Sequence, residues 1–96
     1  MEIEYADEDL CRLGEGDSAG FTREIARGFQ KAIWFIRSAV DERDLYAMKG
    51  LHFEKLKGAR AHQRSMRINK QYRLILEIVG TGAEKRVRVI GIEDYH

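Results

Sequence analysis

The sequence predicts an α+β fold in which N-terminal helices pack on one face of an antiparallel sheet of about four strands. Apolar residues before residue 50 recur at helical spacing, whereas those after it alternate. Helices followed by a run of strands is the order that places helices on one side of an antiparallel sheet. The length agrees: 96 residues, 44% apolar and 34% charged, make one domain over residues 1–96. Such a chain buries about 60–65% of its unfolded surface, so its core is thin.

Residues 2–5 alternate polar and apolar (Glu2, Ile3, Glu4, Tyr5), the pattern of a short edge strand. Residues 7–13 open with Asp7, Glu8 and Asp9 and stop before Gly14, which puts acids at the positive end of a short helix and glycine past its finish. The glycine-rich run 14–20 is a loop. From Phe21 the apolar positions Ile25, Phe29, Ala32, Ile33, Ile36 and Val40 trace one face of the longest helix, which runs to about Ala39. Gly28 inside it costs about 1 kcal/mol relative to alanine, to be recovered by packing. Trp34 and Phe35 fall off that stripe. Either they pack on the first strand or the short helix, or they form a surface for a partner. Residues 41–48, closed by Gly50, add a helical turn or two.

The second half reads as strands at 51–56, 62–68, 72–79 and 86–92. Asn69, Lys70 and Gln71 join the second and third as a tight hairpin. Residues 80–83 (Gly-Thr-Gly-Ala) turn the chain again, and Gly91 marks a bulge or a close backbone approach. Proline is absent, so glycine, asparagine and aspartate must supply the turns.

The lone Cys11 forms no internal disulfide and no Cys/His spacing resembles a zinc site, which fits a reducing, cytoplasmic setting. An acidic N-terminus without an apolar stretch behind it is not a signal peptide, and no segment approaches the ~20 apolar residues of a membrane span.

The formal net charge of +1 conceals two unlike halves. Residues 1–50 carry 7 basic and 11 acidic side chains, a net of −4, and residues 51–96 carry 10 and 5, a net of +5. Lys55, Lys57, Arg60, Arg64, Arg67, Lys70 and Arg73 are seven cations in nineteen residues with no acid among them. Gathered on one surface of two paired strands, they suit phosphates, and Arg offers bidentate donors to each. The alternative is a solvated basic face balanced by the acidic half.

The chain ends Glu93, Asp94, Tyr95, His96. RNA cleavage by internal 2′-OH attack needs a base, an acid for the departing 5′ oxygen and cations for the charge on phosphorus. His96 and Arg73 supply such parts. A histidine titrates near neutral pH, and a tyrosine stacks on a base or passes a proton. Without context, the same ending is three polar residues at a chain terminus.

Leu56-Lys57-Gly58, then SMRINKQYRLIL at residues 65–76, then the terminal EDYH resemble the HigB-type toxins of the RelE/ParE toxin-antitoxin superfamily, whose pattern runs roughly LKG, S-I-R-x-N-x-x-Y/W-R and a final DYH. The GDSAG loop at 16–20, the long helix after it and the order of strands are similar too. The resemblance implies a RelE-like fold and a cytoplasmic toxin that cuts mRNA in the ribosomal A site without metal or other cofactor. By position it makes Arg73 the phosphate-facing arginine and Asp94, Tyr95 and His96 a catalytic trio. His96 would be the general acid or base, Tyr95 a stacking or proton-handling group, and Asp94 an orienting carboxylate. Lys57 is expected on a nucleic-acid backbone, and Lys55, Arg60, Arg64, Arg67 and Lys70 complete the RNA-binding set.

The implied partners are the ribosome with its mRNA and a HigA-like helix-turn-helix antitoxin, with operator DNA reached only through the antitoxin complex and no membrane involved. The sequence departs from the family pattern in three ways. Arg64 stands where many members have an aromatic residue before the motif serine, Glu54 where some have a histidine, and the first half is unusually acidic. His52 and His62 read as ordinary polar residues. Two other readings are a ParE-like inhibitor that binds DNA gyrase, and an inactive relative that only binds an antitoxin.

Overall fold

The structure, a computed structural model, describes residues 1–94. Its helices are α1 (Glu8–Gly14), α2 (Arg23–Ser38) and α3 (Glu42–Ala47). Its strands are β1 (Glu2–Tyr5), β2 (Glu54–Lys55), β3 (Gln63–Arg67), β4 (Tyr72–Val79) and β5 (Arg86–Asp94), in the order β1-β5-β4-β3-β2. The antiparallel part, β2 to β5, has the expected four strands. β1 is the expected edge strand at residues 2–5, and it joins as a fifth strand parallel to β5, with Ile3 opposite Val87 and Tyr5 opposite Val89. That register puts the apolar residues of β1 on the buried face, and a slip of one residue would turn them to water.

Each helix begins on a side-chain cap. Asp7 accepts from the Leu10 amide at 2.8 Å, Thr22 from Ile25 at 3.3 Å and Asp41 from Arg43 at 2.9 Å. Along α2 the residues Ala26, Phe29, Ala32, Ile33 and Ile36 are buried against Met66, Leu74, Leu76, Val87 and Val89 of the sheet. Full burial of each large aliphatic or aromatic side chain contributes about 1.5–3 kcal/mol as an upper figure. Val40, expected on this stripe, is 85% exposed, because the helix ends at Ser38 and Ala39 is extended. Gly28 has its reason in packing. A β-carbon there would lie 2.4 Å from the Ile68 carbonyl oxygen, so only glycine lets α2 lie this close to the end of β3.

Residues 51–56 are the other departure from expectation. Lys49–Leu51 is a 3₁₀ turn, His52 adopts a left-handed backbone, and only Glu54–Lys55 forms a strand. Leu51 and Phe53 alternate with polar residues because both are buried as anchors, Phe53 meeting Tyr46 edge-on at 4.7 Å. The hairpin and the bulge are where the residues suggest. Asn69 Oδ1 accepts from the amides of Gln71 and Tyr72, each at 2.8 Å. Val89 faces Leu76 while Gly91 faces Ile75, so Ile90 is the extra residue, and Glu93 comes to lie opposite Arg73.

Candidate functional site

Alternation along the strands separates two faces of the sheet. Met66, Leu74 and Ile92 form one cross-strand row beneath α2, and the next row, Arg67, Arg73 and Glu93, belongs to the opposite face. This open face is the candidate site.

Arg73 is its centre and is only 6% exposed. Its Nη2 donates to Ser65 Oγ at 2.9 Å and to the carbonyl of His52. His52 holds that carbonyl in place through a left-handed backbone, φ 48° and ψ 47°, a conformation that non-glycine residues adopt at a cost. Its imidazole lies 3.4 Å from Nη1 of Arg67, whose Nε donates to the Asn69 carbonyl at 3.3 Å. His52, Arg67, Asn69 and Arg73, with Glu54 and Lys70, line a groove of about 270 Å³. Arg67, Lys70 and Arg73 thus face one recess with a single carboxylate among the described residues that line it, an arrangement suited to an anion such as a phosphodiester.

The other expected cations are elsewhere. Lys55 and Arg64 face each other across β2 and β3 in the row level with Leu76, on the helix side of the sheet, and Arg64 Nη1 donates to the carbonyls of Ala61 and Gln63. Lys57 is exposed just before the 3₁₀ turn Gly58–Arg60. Arg60 reaches across the open face to Glu93, with Nη1 and Nη2 on the two carboxylate oxygens at 2.9 and 2.6 Å. Those hydrogen bonds raise the Arg60 pKa above the ordinary arginine value. The expectation that the seven cations share one surface is therefore corrected: register splits them between faces, and an acid from β5 neutralises one of them.

From the C-terminal motif, Asp94 ends β5 opposite Tyr72 and accepts from Gln71 Nε2 at 3.2 Å, which ties it to the hairpin tip beside Lys70. Tyr95 and His96 lie outside the described residues. His52 and Glu54, noted in the sequence but left out of the expected site, are lining groups. Their signal was present in the apolar anchors Leu51 and Phe53, which leave the polar residues between and after them to face outward.

Residues 3–89 match the family model described as the RelE-like toxin of the type II toxin-antitoxin system HigB. The chain belongs to the HigB-like toxins. As a RelE-like toxin of a type II toxin-antitoxin system it has an antitoxin partner. The match includes Arg67 and Arg73 and ends before Glu93. Among solved structures, this HigB-like toxin is similar to a YoeB/ParE toxin from Agrobacterium tumefaciens, at 18% identity with all of both chains covered and a TM-score of 0.64. It is also similar to the YoeB dimer from Staphylococcus aureus, at 16% identity over all of this chain and 97% of that one, with a TM-score of 0.54. At such identities the likeness is one of fold. No individual curated protein gives a match.

Proposed function

We propose that this HigB-like toxin is a ribosome-dependent, metal-independent endoribonuclease that cleaves mRNA in the A site and so halts translation in the cytoplasm. The observation that carries this reading is the groove of Arg67, Lys70 and Arg73 beside the end of β5, from which the chain continues directly into Tyr95 and His96. In the reaction the ribose 2′ oxygen attacks the adjacent phosphorus and loses its proton to a base. The bond to the 5′ oxygen breaks and that oxygen takes a proton, leaving a 2′,3′-cyclic phosphate and a 5′-hydroxyl.

Arg73, held by Ser65 and the His52 carbonyl, meets the growing negative charge as a cation fixed before the reaction, and no reorganisation is spent in aiming it. His96 acts as general acid or base, Tyr95 stacks on a base or relays a proton, and Asp94 orients its neighbours. Lys70 and Arg67 hold the flanking backbone. Lys57 and Lys55 contact ribosomal or messenger RNA outside the groove, as do Arg60 once freed from Glu93 and Arg64 through its exposed part. The antitoxin is of the HigA kind, with a helix-turn-helix domain through which the complex binds its operator DNA.

Mapping of RNA ends in cells producing the toxin tests the reading. It predicts new 5′-hydroxyl ends confined to translated regions. Intact transcripts with gyrase trapped on DNA would replace it with the ParE-like reading, and unimpaired growth would leave an inactive antitoxin binder.

A further inference from the structure

Trp34 stands 61% exposed on α2, off the core stripe and in edge contact with Phe35, ring centroids 5.1 Å apart. Phe35, Met48 and Leu51 line a depression of about 270 Å³ between α2 and the 3₁₀ turn that follows α3, with Lys31 and Lys49 at its rim. Met48 is itself 43% exposed. A second depression of about 210 Å³, lined by Gly28, Ala32 and Ile68, shares Lys31, Gly50 and Leu51 with the first and reaches Arg67. The two make one trough, apolar at the Trp34 end and open at the other to the arginine that also lines the groove around Arg73.

Arg27 lies one turn before Lys31 on the same face of α2. Among the described residues Arg27, Lys31 and Lys49 form no ion pair. An apolar trough rimmed by unpaired cations is complementary to a peptide that carries apolar side chains and carboxylates together. Nucleic acid fits it less well. Bases stack on open aromatic faces, whereas Met48, Leu51 and Ala32 line most of this recess, and Phe35, the one aromatic among the described residues that line it, is half-buried and packed edge-on against Trp34.

We propose that this trough is the docking site for an acidic, amphipathic segment of the antitoxin. Its apolar residues fill the space beside Phe35 and Met48, and its carboxylates meet Arg27, Lys31 and Lys49. A segment lying along the whole trough ends at Arg67, so the partner reaches the edge of the anion site without displacing a strand. The inference rests on family membership, which brings an antitoxin, and stands apart from the RNA-cleavage reading.

The test is equilibrium binding of the purified toxin to the purified antitoxin of the same pair, with binding to a 30-nucleotide single-stranded RNA measured beside it. Trp34→Ala removes the most exposed aromatic among the described residues, and Lys31→Glu with Lys49→Glu reverses the rim; all three positions are exposed, so the fold is expected to persist. Both variants should bind antitoxin at least about tenfold more weakly, as for an anchor residue in an interface, while circular dichroism and RNA affinity stay as in wild type. Amide exchange in the wild-type complex should slow at residues 31–35 and 48–51. Antitoxin affinities within twofold of wild type in both variants, or a loss of RNA affinity with antitoxin binding intact, would overturn the proposal.

Discussion

The carbonyl of His52 accepts a hydrogen bond from Nη2 of Arg73, and it does so from a left-handed backbone at φ 48°. One residue therefore plays two parts: its main chain aims the central arginine, and its ring lines the groove beside Arg67. The substitution His52→Gly separates them. Glycine adopts this conformation without the roughly 1 kcal/mol cost that a β-carbon brings, so thermal unfolding should occur at an unchanged or slightly higher temperature while RNA affinity falls with loss of the ring. His52→Val should lower the melting temperature. A variant His52→Gly that is markedly less stable would mean that the imidazole, not the backbone, holds the segment.

Gly28→Ala should destabilise, although alanine is the better helix former by about 1 kcal/mol. The added methyl would meet the Ile68 carbonyl oxygen at 2.4 Å and the Ile68 Cγ2 at 2.6 Å, forcing α2 away from β3. Overpacking of this kind costs typically about 1–3 kcal/mol, which urea unfolding would register as a lower midpoint. A higher midpoint would show that the helix shifts freely and that the close approach is incidental.

Glu93→Gln should strengthen RNA binding. The carboxylate occupies both Nη groups of Arg60 on the open face, and its neutral amide releases that cation for a phosphate. Affinity for a single-stranded oligoribonucleotide, followed by fluorescence anisotropy, should rise severalfold. The plot of log K against log salt should steepen by about 0.7 for one more phosphate contact. Arg60→Gln should weaken binding, because it leaves the Glu93 carboxylate uncompensated on the open face. Weaker binding by Glu93→Gln would assign the carboxylate a direct part in the RNA contact.

Acid should unfold the protein through specific carboxylates. Hydrogen bonds from the Arg43 side chain and backbone hold Asp41 at about 2, below the ordinary 3.8. The Ala19 amide and Arg12 lower Asp17, and the Glu42 backbone with Lys85 lowers Glu42. A folded pKa below the unfolded value means that the unfolded chain binds more protons over the interval, so stability is full above about pH 4.5 and drains away as pH falls towards 2. Thermal melts between pH 7 and pH 2.5 should show the midpoint flat at first and then falling. For Asp41→Asn the fall should be shallower. A midpoint that rises on acidification would contradict the assignment.

Much of the fold was legible because local rules and global packing agree. The stripe from Ile25 to Ile36, the Asn69 turn and the bulge near Gly91 each follow from spacing or turn chemistry within a few residues. The parallel pairing of β1 with β5 joins residues more than eighty apart, and no local pattern announces it. Residues 51–56 resembled a strand because Leu51 and Phe53 alternate for burial in a turn, where the same spacing arises without a ladder.

At the site, the run of cations was visible but its division was not. Whether Arg64 or Arg67 faces the groove depends on register, and the partner that neutralises Arg60 lies thirty-three residues away. His52 entered the site through a backbone conformation that its residue type does not suggest.

The proposed cleavage of mRNA on the ribosome joins the groove to the terminal motif. It is tested most directly by adding the toxin to a translating extract and following one capped, end-labelled transcript, with wild type beside His96→Ala. The expected result is cleavage within the translated region by wild type, none when initiation is blocked, and a rate about 10²-fold or more lower for His96→Ala, the range for loss of a general acid or base. A transcript that stays intact with wild-type toxin, or one that His96→Ala cuts at the wild-type rate, would contradict it.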